Sequence, residues 1–127
     1  MKTKLLLTII VLLAGSLFFS ASAQDNINTL IEKCKKMDNI DVNVSKVKTS
    51  TDGKSTSFET TTISIKSNKS LTDEFLAAFK RDSEKADSTT ENETNGEINL
   101  LMCTFGSNIY TYSSKKDGVT ISVYRVN

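Results

Sequence analysis

The chain has 127 residues, 16 of them Lys or Arg and 15 Asp or Glu, with no His, Trp or Pro. Without His there is no Ser-His-Asp or Cys-His catalysis and no His-based zinc or iron site, which leaves carboxylate, Lys, Tyr or lone-thiol chemistry. A formal net charge of +1 lacks the basic footprint of a nucleic-acid binder or a polybasic membrane-surface protein.

The N-terminus carries an address. Lys2 and Lys4 precede an apolar run over 5–19, broken only by Thr8, Gly15 and Ser16, and Ala21-Ser22-Ala23 is a small-residue exit. That order predicts a secretory signal peptide cleaved after Ala23, and the run is too short for a stable membrane span. Removing 23 residues leaves 104, enough for one modest core, with 14 basic and 15 acidic residues and a net charge of −1. The expectation is one domain over 24–127, periplasmic or secreted, with no membrane span after cleavage and no nucleic-acid partner.

Residues 24–37 are predicted to be a helix, because Ile27, Leu30, Ile31, Cys34 and Met37 recur on one face. Asp25 or Asn26 is the expected N-cap, and Lys33, Lys35 and Lys36 suit the last turns. Residues 40–48 and 55–66 read as strands joined by Asp52-Gly53, a type I′ hairpin signal. A two-residue loop sets Val42 against Ile63, Lys46 against Glu59 and Val47 against Phe58. The apolar parity changes along both strands at one level, which predicts a strong twist or a matched bulge. The run Thr60-Thr61-Thr62 suits an edge strand.

A second helix is expected over 70–86, opened by the capping-box pattern Ser70-Leu71-Thr72-Asp73, with Leu71, Phe75, Ala78 and Phe79 on its apolar face. Residues 87–96 contain no large apolar side chain and read as an exposed loop. Glu91, Glu93 and Glu97 lack the spacing of a calcium loop. Strands over 97–105, 108–114 and 119–126 form a meander with turns at Gly106-Ser107 and Asp117-Gly118. Leu101, Cys103, Tyr110, Tyr112, Ile121 and Val123 then share one face and cover the core. The fold expected is α+β, order α-β-β-α-β-β-β: an antiparallel sheet of about five strands with two helices on one face.

Few residues offer chemistry. Cys34 and Cys103 both point inward in an exported chain, a disulfide candidate. The alternative is two separate buried thiols. Glu59, Asp82, Glu84 and Asp87 supply carboxylates, yet nothing in their spacing unites two in one cleft, as a glycosidase needs. No catalytic residue, cofactor or metal site is expected. The second face of the meander carries Leu100, Met102, Ile109, Tyr124 and Val126, an interaction patch if left open and a second core layer if covered. Asp87-Ser88-Thr89 is similar to a short bacterial O-glycan acceptor, with Ser88 as the acceptor.

The Lys2-Thr3-Lys4 opening, the Ala21-Ser22-Ala23-Gln24-Asp25 junction, the short first helix with one Cys and the Lys/Thr/Ser-rich β half resemble small exported proteins of unknown function from gut Bacteroidetes. The resemblance implies a periplasmic or secreted α+β domain and brings no catalytic residue. The functional expectation is a non-enzymatic binding module whose partner is an unidentified protein or envelope component. It would recognise that partner through the strand over 60–65 or the Leu100/Met102/Tyr124 face. The alternative is a secreted inhibitor of a protease or cell-wall enzyme, acting through the 87–96 loop, and a third reading is a small carboxylate hydrolase.

Overall fold

The computed structural model describes residues 25–126, so the leader expected over 1–23 lies outside the described residues. Helix α1 is Asp25–Lys35, followed by strands β1, Asp41–Thr51, and β2, Lys54–Ile65. Helix α2 is Lys69–Ser83, and four strands follow: β3, Ser88–Thr94; β4, Glu97–Phe105; β5, Asn108–Lys115; and β6, Gly118–Val126. The six strands form one antiparallel sheet in the order β1-β2-β6-β5-β4-β3.

The α+β class is as read, but the sheet has six strands rather than about five. The extra strand is β3, in the segment expected to be a loop. Its seven residues are all exposed, so it lacks the apolar alternation that marks a half-buried strand. What makes it a strand is its turn. Asn95 and Gly96 both have positive φ, 56° and 80°, the signature of a type I′ hairpin loop, and they fold Thr94 back onto Glu97.

The first hairpin follows the expected register, with Val42 opposite Ile63, Lys46 opposite Glu59 and Val47 opposite Phe58, and the pairing runs unbroken from Thr51/Lys54 to Asp41/Ser64. The parity change is therefore not a bulge. It is a change of face: Ile63 and Ile65 point to the helices, while Val47 and Phe58 point to the other side. The bulge lies instead in β4 at Asn99, where the register with β3 shifts between Asn92 and Glu93. This extra residue turns Ile98 toward the core, against which it packs. The Thr60–Thr62 run is not at an edge, since β2 lies between β1 and β6. Thr61 is buried under the helices, and Thr60 and Thr62 face the uncovered side, where hydroxyls keep their water.

The last turn is centred one residue earlier than expected. Lys115 pairs with Gly118 across Lys116-Asp117, which shifts the pairing by two residues and preserves which side chains face inward. Leu101, Cys103, Tyr110, Tyr112, Ile121 and Val123 are all buried. Ile27, Ile31 and Cys34 from α1 and Leu71, Phe75, Ala78 and Phe79 from α2 complete the core. Fully buried Phe75 and Phe79 are its largest helical side chains, and truncating either to Ala should cost about 3–5 kcal/mol.

Both helix starts differ from expectation. Asn68, not Ser70, caps α2, its side chain accepting from the Leu71 N–H at 3.1 Å. Helix α1 is capped from across the core by Asp82 of α2, whose Oδ2 accepts from the Ile27 N–H at 2.9 Å.

Candidate functional site

The helices cover one face of the sheet. Alternation along each strand places Leu100, Met102, Ile109, Tyr124 and Val126 on the other, together with Phe58 and Val47. Leu100, Met102, Ile109 and Val126 are half-buried by their neighbours in the sheet, while Tyr124 is 38% and Val47 54% exposed. Phe58 stacks on Tyr124, ring centroids 5.9 Å apart, so the apolar cluster extends beyond the meander onto the first hairpin. Sequence reading missed Phe58 and Val47 as members of this cluster. The signal was their parity, opposite to Val42 and Ile63, together with a β2–β6 pairing that sequence alone does not reveal.

Between these apolar residues lie rows of hydroxyls. Thr60, Tyr124, Ile109, Thr104 and Ser88 form one row across five strands, and Thr62, Ser122, Thr111, Met102 and Thr90 form the next. Neither row contains a charged side chain. Ser88, the expected glycan acceptor, is exposed, but it stands at the start of an edge strand rather than in a loop.

The carboxylates are held by structural partners rather than gathered in a cleft. Asp87 accepts from the Gly106 N–H at 2.6 Å and ties the helix-to-strand connection to the β4–β5 turn. Glu59 lies between Arg125 at 3.6 Å and Lys46 at 3.7 Å. Arg125 also lies over the Tyr110 ring and, with the Tyr110 hydroxyl, donates to Asn28 Oδ1, which fastens α1 to β5 and β6. Buried Asp82 accepts from Ile27 N–H and, at 2.7 Å, from Asn26 Nδ2. Burial raises its carboxyl above the ordinary carboxylate range, and these hydrogen bonds oppose the rise.

Cys34 and Cys103 are both buried and both free, so of the two readings the structure has separate thiols rather than the candidate disulfide. Cys103 packs against Phe79, its Sγ 4.0 Å from the Phe79 carbonyl oxygen. Burial pushes the Cys103 thiol up to about 11 and also raises that of Cys34, as expected for inert core thiols.

An open groove of about 720 Å³ runs along α1 past Asn28, Glu32, Lys36 and Met37. It holds no buried ionisable group. Among the described residues no three His, Cys, Asp or Glu side chains converge to hold a metal ion. No described helix is long and apolar enough to cross a membrane. The sheet face that no described element covers, with its aromatic stack and uncharged hydroxyl rows, is thus the candidate surface.

No curated protein and no solved structure matches the chain. A family model does, over residues 24–126, a span that includes every element of the sheet and both helices. The chain belongs to the family described as Domain of unknown function (DUF5024).

Proposed function

We propose that the chain is an exported, non-enzymatic binding module of the periplasm or cell surface. It recognises a protein or other envelope component through the sheet face that the helices leave open. The observation that carries this reading is the Phe58–Tyr124 stack, lying on a face that no described element covers, with Tyr124 38% exposed. An aromatic pair beside Ile109 and Val126, with no charge in the two hydroxyl rows, has the composition of a binding surface. The leader-like N-terminus and the likeness to small exported Bacteroidetes proteins support the export half of the reading.

The inhibitor alternative needs a rigid exposed loop over 87–96. Those residues form β3 and a tight turn, so no specific observation favours it.

The test is affinity capture from the native envelope, with the wild-type chain beside a Tyr124→Ser/Met102→Ser variant. Both positions lie outside the helix-covered core, so the variant should keep its fold by circular dichroism. A specific partner lost with the variant supports the reading. A partner retained equally by both proteins places recognition elsewhere, and the absence of any partner removes the reading's basis.

A further inference from the structure

Among the described residues, both edges of the sheet are open. Every residue of β3 is exposed, as is every residue of β1 except half-buried Val42. Open edges invite strand addition, and proteins commonly block them with charge. Apart from Asp41 at the far end of β1, the blocking charges have opposite signs on the two edges: Lys46 and Lys48 on β1, Glu91 and Glu93 on β3.

We propose that copies of this chain associate head to tail, the β3 edge of one copy pairing with the β1 edge of the next. Strand direction permits it. With six strands antiparallel throughout, β1 and β3 run in opposite directions. A second copy set beside the first in the same orientation presents its β1 antiparallel to β3, and its helices stay on the same side.

The hydrogen-bond alternation fixes which residues meet. Asp52-Gly53 and Asn95-Gly96 are two-residue loops, so Thr51/Lys54 and Thr94/Glu97 are bonded pairs. Counting back from them in twos, Thr49, Val47 and Ser45 direct their backbone groups to β2. Lys46, Lys48 and Ser50 direct theirs outward. On β3 the same count leaves Glu93, Glu91 and Thr89 facing outward. All four charged residues lie on the helix side of the sheet: Lys46 opposes Glu59, which shares a face with Thr61, and Glu91 opposes buried Leu101.

One antiparallel register then satisfies both backbone and charge. It sets Lys46 opposite Glu93, Lys48 opposite Glu91 and Ser50 opposite Thr89, and it aligns all of 88–94 with 45–51. Like edges are disfavoured, because β1 on β1 sets Lys against Lys and β3 on β3 sets Glu against Glu. Among the described residues Lys48, Glu91 and Glu93 have no ion pair, and Lys46 reaches only Glu59, which Arg125 also holds. Such a contact is heterologous, so it extends into a row of copies rather than closing as a dimer.

The test is sedimentation velocity on the chain recovered from the envelope of expressing cells, over a range of concentration and salt. This uses the chain alone, so its outcome is separate from that of the partner capture above. The expected result is a concentration-dependent series of species that extends past the dimer and weakens with salt. Lys48→Glu and Glu91→Lys should each weaken association about tenfold. The double swap, and an equimolar mixture of the two single variants, should both recover it. Independently of any variant, the outward amides of Lys48 and Glu91 should gain hydrogen-exchange protection as wild-type concentration rises. A monomer at every concentration, a closed dimer, or association indifferent to the charge swaps would overturn the proposal.

Discussion

Asp82 Oδ2 accepts the Ile27 N–H at 2.9 Å, so the N-terminus of α1 is capped by a side chain 55 residues away in sequence. The same carboxylate takes the Asn26 side-chain amide on its other oxygen at 2.7 Å. A negative group at a helix N-terminus satisfies open N–H groups and complements the helix dipole. Asp82→Ala should leave a buried N–H unpaired and cost about 1–3 kcal/mol in urea unfolding. Asp82→Asn keeps an acceptor there and should cost less.

The same residue gives the fold a pH dependence of unusual sign. Burial raises the Asp82 carboxyl above its ordinary value of 3.8, against its hydrogen bonds from Ile27 and Asn26. In the window above 3.8 the folded chain binds more protons at this site than the unfolded chain. Stability contributed by Asp82 therefore falls as pH rises through that window, and it is greatest below it. Unfolding series of wild type and Asp82→Asn from pH 3 to 7 should show a wild-type advantage that is largest at acid pH and shrinks as pH rises, because the amide has nothing to titrate.

Gly118 tolerates no side chain. Its φ is 141°, and an added Cβ would fall 2.2 Å from the Ile65 carbonyl oxygen in the neighbouring strand. Gly118→Ala should cost more than about 2 kcal/mol by thermal or chemical unfolding. Gly96 provides the control. It also has positive φ, 80°, but open space around it, so Gly96→Ala should cost only about 1 kcal/mol.

The thiols should be silent in the native state. With Cys34 and Cys103 both free and buried, a thiol reagent should label neither until denaturant is added, and then both. Reductant should leave the melting temperature unchanged. Labelling of only denatured, reduced protein would instead mean that the two sulfurs are bonded.

Export should leave a mark on the mature chain. Mass spectrometry of the protein from the envelope of expressing cells should find an N-terminus at Gln24, and retention of Met1 would remove the export argument.

The hairpins show how far local sequence carries. Asp52-Gly53 fixed the first register down to the Lys46–Glu59 pair, because turn chemistry and pairing lie within a few residues of each other. Asn95-Gly96 held an equally strong signal, but the uniformly polar 88–94 segment concealed it. A strand exposed on both faces has no hydrophobic period to read. The long-range cap of α1 was illegible for another reason. Asp82 occupies an ordinary position near a helix C-terminus, and only the packing of α2 on α1 aims it at Ile27. The uncovered face was half legible: alternation gave its residues in the meander, but Phe58 joined them only through the β2–β6 pairing.

That pairing also orders how the molecule assembles. Four of the five strand contacts join neighbours in sequence across tight turns, whereas Ile65 meets Val119 only after the intervening helix and three strands are in place. Closing so long a segment is the slow entropic step in a chain whose other pairings are local. The hairpin β1–β2 and the meander β3–β6 can each form early. The folding rate should therefore respond most to residues on the seam, Ile63, Ile65, Ile121 and Val119, and least to those in the outer turns.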